Sequence, residues 1–201
     1  SVETGESQEE AEPLGNQIYV MTPTPDHGWT GQGAAYAAAF VEEINLGLRG
    51  DYAATHYTAD NGEAQNEQVQ EILANQDAAG VMFWGCDESA KEGQQALIDA
   101  GIPWVSYDRI IEDTMEQAIL NYSGDNWQSG VAVAYYLTIH GMAPESTLVQ
   151  FTGDASTVSE RRKEGFRRFL LGQEDYYDAE EDQIYTIEDV NHGKPWTQEE
   201  V

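Results

Sequence analysis

Short β-rich apolar runs alternate with helix-spaced segments about a dozen residues long through most of the chain, and this alternation constrains the fold more than any other feature. QIYVMT (17–22) ends in the loop PTPDHG (23–28), and WTGQGAAYAAAFVEEINLGL (29–48) follows with apolar residues at helical spacing. YAATHYTA (52–59) alternates as a strand does, DNG (60–62) turns the chain, and a helix follows that carries Val69, Ile72 and Leu73. GVMFW (80–84) is continuously apolar, as expected of a strand covered on both faces. SAKEGQQALIDAG (89–101) predicts a helix with Ser89 as N-cap and Gly101 after its end. IPWVSY (102–107) and QAILNY (117–122) are further predicted strands, and WQSGVAVAYYLTIHG (127–141) is a helix. STLVQFTG (146–153) predicts a strand, STVSERRKEGFRRFLLG (156–172) a helix, and QIYTI (183–187) a last strand.

Strands that alternate with helices build βαβ units with right-handed crossovers, so the expected class is α/β with doubly wound, mostly parallel sheets. Three regions are expected. Residues 1–15, SVETGESQEEAEPLG, are acidic and free of aromatics and form a disordered leader. Residues 16–124 form an N-terminal α/β lobe that is near complete, and residues 125–201 begin a second lobe that is incomplete, with too few strands for a sheet. Open parallel sheets bind ligands outside the carboxyl ends of their strands, and the polar clusters of this chain fall at such ends.

Four clusters stand out. Asp108 and Arg109 close VSYDR at the end of a strand, either as a structural pair or as a grip on a polyhydroxylated ligand, with the acid accepting and the guanidinium donating. Trp29 opens the first helix, either as a staple or with its ring flat on a ligand's C–H face. Asp87 in CDES is either a helix cap or a ligand group. In GDNWQSG, Asp125 and Asn126 either cap the next helix or line the crevice.

Charge and motifs exclude several classes. The chain has 37 acidic and nine basic residues, a formal net charge of −28, which repels nucleic acid and anionic membranes. One cysteine, Cys86, allows no internal disulfide. There is no nucleophile elbow and no P-loop. GQGAAYA lacks the third glycine of a dinucleotide fingerprint, and the four histidines have no metal spacing. The acidic run DYYDAEEDQ (175–183) lacks the glycine-turn pattern of a calcium loop and is expected to be solvated. No catalysis, cofactor or metal is expected.

GQGAAYAAAF, AGVMFWGCDESA, GIPWVSYDR, YSGDNWQSG and ERRKEGFRRFL follow one another along the chain. This ordered set of motifs resembles the periplasmic sugar-binding proteins of the type I fold, in the branch that binds xylose, ribose and similar monosaccharides. The resemblance implies two lobes that close by hinge bending on a pentose or hexose and deliver it to the membrane permease of an ABC transporter. It implies an extracytoplasmic place, periplasmic or as a cell-surface lipoprotein. It makes Trp29 the stacking aromatic and Asp108 and Arg109 the grip on hydroxyls. Arg162, with Arg161 as the register alternative, would be the second-lobe guanidinium, and Trp196 the second-lobe aromatic. Asp26 and His27 fall in a loop of small polar contacts, and Asn126 shapes the hinge region. Trp84 departs from the family, where many members have Asn, and adds bulk to the pocket. The family's length further implies that the remainder of the second lobe lies outside this chain. Two other roles share the fold. One is a sensing domain that presents a sugar or furanose-like autoinducer to a signalling receptor. The other is a repressor core, which needs a basic DNA-binding segment that the acidic leader does not supply.

Overall fold

Alternating strands and helices are what the structure contains. The computed structural model describes residues 15–26, 28–151, 156–191 and 194–201, so His27 lies outside the described residues. The chain divides into two units. One holds the residues up to Tyr107 together with Ile111–Asn121, and the other holds Asp108–Ile110 and Tyr122–Val201.

The first unit is built on β1 (Gln17–Pro23), α1 (Gly28–Asn45), β2 (Ala53–Ala59), α2 (Gly62–Asn75), β3 (Ala78–Phe83), α3 (Lys91–Asp99), β4 (Trp104–Tyr107) and β5 (Leu120–Tyr122). The sheet order is β2-β1-β3-β4-β5, with β1 parallel to both β2 and β3, and β3 parallel to β4. The alternation of β1 side chains explains why its sequence is apolar from Ile18 to Met21. Tyr19 and Met21 face a core completed by Val69 and Ile72 of α2, Leu97 of α3 and Phe83. Val20 faces the opposite side, against Val41 and Ile44 of α1. A central strand buried on both faces has no position left for a polar residue unless that residue is paired.

The sequence predicts Ser89 as the cap of the helix after β3, but α3 follows Ala90 with no side-chain cap. Asp87 instead caps a short 3-10 turn (Glu88–Ala90) that precedes α3, its side chain accepting from the Ser89 N–H. An ionised carboxylate two residues upstream is the better acceptor for that end.

The second unit packs α4 (Asn126–Ile139) on α5 (Thr157–Leu170), with a hairpin of β6 (Tyr176–Asp178) and β7 (Gln183–Tyr185) and a last turn, α6 (Ile187–Val190). Asp125 caps α4 and Ser156 caps α5. One sequence expectation fails here and another is refined. Residues 146–151 form no strand, and 152–153 lie outside the described residues. Leu148, Val149 and Phe151 are exposed, because a strand exists only in a ladder and no described strand pairs with this segment. The acidic run at 175–183 is not merely solvated: Tyr176 pairs with Tyr185 across an antiparallel hairpin, which ends QIYTI at Tyr185. Tyr135 of α4 stacks on Tyr176 at 4.5 Å and lies 5.0 Å from Tyr185, and these contacts fix the hairpin to the helix.

Candidate functional site

The strand order locates the crevice of the first unit. From β1 the chain passes to β2 on one side, and the next crossover returns to β3 on the other. A sheet of this order opens a ligand crevice beyond the carboxyl ends of β1 and β3. The loop after β1 leads into Trp29, and Trp84 follows β3 directly.

Three aromatic rings gather there. Trp84 is buried and meets Trp29 edge to face, with centroids 6.3 Å apart and planes at 62°. It also meets Tyr107, at the end of β4, at 5.2 Å and 75°. Trp29 remains 58% exposed. Its indole therefore touches Trp84 and still offers surface to solvent. Gly33, one turn into α1, admits the Trp84 ring: a Cβ there would lie 2.5 Å from Trp84 Cζ3. Asp26 accepts from the Thr30 hydroxyl at 2.7 Å, beside Trp29 on the first turn of α1.

The loop that carries Trp84 is held from below. The Trp84 N–H donates to the Met21 carbonyl at 3.0 Å. Gln65, fully buried on α2, donates from Nε2 to the Trp84 carbonyl at 2.8 Å, and its Oε1 accepts from the Cys86 N–H at 2.8 Å. Asp87 is occupied with structure: Oδ2 accepts from the Gly62 N–H at 2.9 Å, and Oδ1 from the Ser89 N–H at 2.9 Å and hydroxyl at 2.6 Å. These bonds favour the capping alternative for Asp87.

In the second unit, Asp108 and Arg109 are half-buried and not sealed from solvent. Asp108 takes a left-handed backbone, φ 60°, and its N–H donates to the Tyr122 carbonyl at 2.7 Å. Asp is one of the few residues other than glycine that adopts this conformation readily. Asn126 is buried, and its Oδ1 accepts from Arg162 Nε at 2.9 Å, which settles the orientation of that guanidinium. Trp196 is placed elsewhere. It is 7% exposed in the core formed by Val131, Ala134, Phe169, Leu170 and Ile187, and its backbone N–H donates to the Leu170 carbonyl. That burial gives the Trp196 ring a packing role in this unit. The unit also carries a groove of about 530 Å³ along α4 and α5, lined by Val133, Leu137, Leu148, Phe151, Arg162 and Phe166. Helices of an α/β layer bury such a face on a sheet, and among the described residues this unit has only the β6–β7 hairpin.

The sequence reading did not assign Tyr107, Gln65 or Gly33 to the site. Tyr107 stands inside the VSYDR motif, and Gly33 is a glycine in a helix interior, where it has a cost unless something approaches closely. Gln65 gave no signal, because a glutamine in a helix is ordinarily on its wet face.

Comparison with known proteins agrees with this architecture. No curated protein matches the chain. A solute-binding protein of an ABC transporter from Bacillus halodurans, solved with bound myo-inositol, is 20% identical with a TM-score of 0.60, over 82% of this chain and 53% of that one. A carbohydrate transporter solute-binding protein from Chloroflexus aurantiacus, in complex with D-glucose, is 20% identical with a TM-score of 0.61, over 77% and 45%. A LacI transcriptional regulator from Bacteroides fragilis is 20% identical with a TM-score of 0.53, over 78% and 55%. The chain thus spans about half the length of the solved structures it matches, and at these identities the likeness shows a shared doubly wound α/β fold. Residues 18–201 match the family model described as the periplasmic binding protein domain, and the chain belongs to that family.

Proposed function

We propose that the protein is an extracytoplasmic solute-binding protein that captures a neutral monosaccharide and presents it to an ABC transporter permease. The observation that carries this reading is the exposed Trp29 ring braced on buried Trp84 at the topological switch point. An indole face accepts the C–H face of a sugar ring, because that face of the sugar is apolar and the indole π-cloud is electron-rich. Asp26 supplies acceptors beside it. The second unit carries polar groups of its own, the Asp108 carboxylate, the Arg109 guanidinium and the Arg162 guanidinium, whose Nε donates to Asn126. Charged groups that bond neutral hydroxyls give short, directional contacts that select hydroxyl configuration. Binding of this kind requires no nucleophile or general base.

Transport is favoured over gene regulation by charge. A formal net charge of −28 opposes the phosphate backbone that a repressor must approach. The solved relatives with bound myo-inositol and D-glucose are consistent with a polyol ligand of this size.

The test is a thermal-shift screen of pentoses, hexoses and inositols on the full-length protein. A ligand at a hundredfold excess over its dissociation constant stabilises the folded state by about 2.7 kcal/mol. Trp29→Ala should abolish most of that shift and leave the ligand-free melting point nearly unchanged. A flat response to every sugar defeats the reading.

A further inference from the structure

We propose that Gln65 is a positioning residue of the ligand platform, acting through Trp84 on Trp29 and Tyr107. Trp84 lies just beyond the end of β3, where the loop toward α3 begins and the sheet no longer holds its carbonyl. Its N–H is tied to β1 through Met21, and its C=O is tied to α2 through Gln65 Nε2. The other end of the same amide takes the Cys86 N–H. One buried side chain thus holds the loop at two points two residues apart, with the donor and the acceptor that a carboxamide supplies without any change of protonation.

Both peptide groups need this. The Gln65 side chain is fully buried, and a buried carbonyl or N–H without a partner costs about 1–3 kcal/mol. With the peptide on either side of Gly85 fixed, Trp84 cannot swing on its backbone, and Gly33 leaves its ring room on the α1 side. The tilt of Trp29 on Trp84 and the edge contact with Tyr107 then follow from the clamp. Gln65 itself sits beneath the platform and touches it only through the Trp84 and Cys86 backbone.

This inference rests on the platform being the binding surface, but its test does not use a sugar. Residue-resolved hydrogen exchange on the wild-type full-length protein reports the Cys86 amide, which lies in a loop outside every strand and helix. The clamp predicts that this amide is protected to the level of the β3 amides. Exchange as fast as in the exposed loops overturns the proposal and leaves the sugar reading intact. A second arm uses Gln65→Met, which keeps the side chain's length and removes both bonds. Circular dichroism isolates the Trp29–Trp84 exciton couplet as the difference between each protein and its Trp29→Phe counterpart. The couplet should be lost in folded Gln65→Met, well below its melting point. An unchanged couplet in a folded, merely less stable variant shows a purely structural glutamine and overturns the positioning role.

Discussion

Trp84 is the residue on which the first unit's site turns, and Gly33 is its silent partner. A Cβ at Gly33 would come within 2.5 Å of one ring carbon of Trp84 and 2.8 Å of another. Alanine ordinarily stabilises a helix interior by up to about 1 kcal/mol over glycine, but overpacking against a fixed ring costs about 1–3 kcal/mol. Gly33→Ala should therefore lower stability on balance and weaken sugar binding, measured by chemical denaturation and by the thermal-shift response. A stabilised variant with full binding would mean that the ring moves freely. His56 on β2 gives a pH-dependent counterpart. Burial lowers its pKa from the usual 6.5, and its Nε2 lies 2.9 Å from the Thr22 hydroxyl. The folded state holds fewer protons than the unfolded one, so the contribution of His56 is full above the unfolded pKa and is lost as pH falls from there toward the folded value. Between about pH 7 and 5.5 the wild-type melting point should fall more steeply than that of His56→Gln. Legibility at this scale was uneven. Trp29, Asp108 and Arg109 announced themselves as an aromatic and a charge pair at strand ends. Gln65 did not, because its role depends on which loop passes over α2, and that is a tertiary fact.

Elements were more legible than residues wherever their partners lie in the same stretch of chain. The centres of β1 and β3 are apolar because α1 covers one face and α2 with α3 the other, so sequence and burial agree. STLVQFTG reads as a strand by the same rule, yet residues 146–151 stay irregular. Apolar β-branched residues create the propensity, but only a neighbouring strand supplies the hydrogen bonds. The β6–β7 hairpin erred in the other direction: its charges spoke for solvent, while its tyrosines, stacked on Tyr135, held it in place. The packing of α4 on α5 depends on glycines that face each other's backbones. A Cβ at Gly130 would lie 1.9 Å from the Arg162 carbonyl oxygen, and one at Gly165 would lie 2.1 Å from that of Trp127. Backbone does not yield as a flexible side chain does, so Gly165→Ala must drive the helices apart. The expected loss is about 3 kcal/mol, at the upper end of overpacking costs, and is seen as an early transition in a melt followed through Trp127 and Trp196. A melting point within error of wild type would show that the crossing is looser than the structure has it.

At the scale of the whole molecule, charge separates the candidate ligands. Acidic residues outnumber basic ones 37 to nine, so the folded state carries substantial self-repulsion that salt screens. Raising ionic strength from about 10 mM to about 500 mM shortens the Debye length from roughly 30 Å to below 5 Å, and the melting point should rise over that range. A neutral monosaccharide feels none of this long-range field, since its bonds to carboxylate and guanidinium groups are local dipole contacts. Its affinity, measured by calorimetry, should stay within about twofold across the same series. A phosphorylated or carboxylated ligand behaves differently: it is repelled by the molecule's net charge, attracted by Arg109 and Arg162, and both effects change with salt. A steep salt slope in affinity would therefore show that the ligand is an anion held by the guanidinium groups, and the neutral polyol would have to be abandoned even if the aromatic platform binds as proposed.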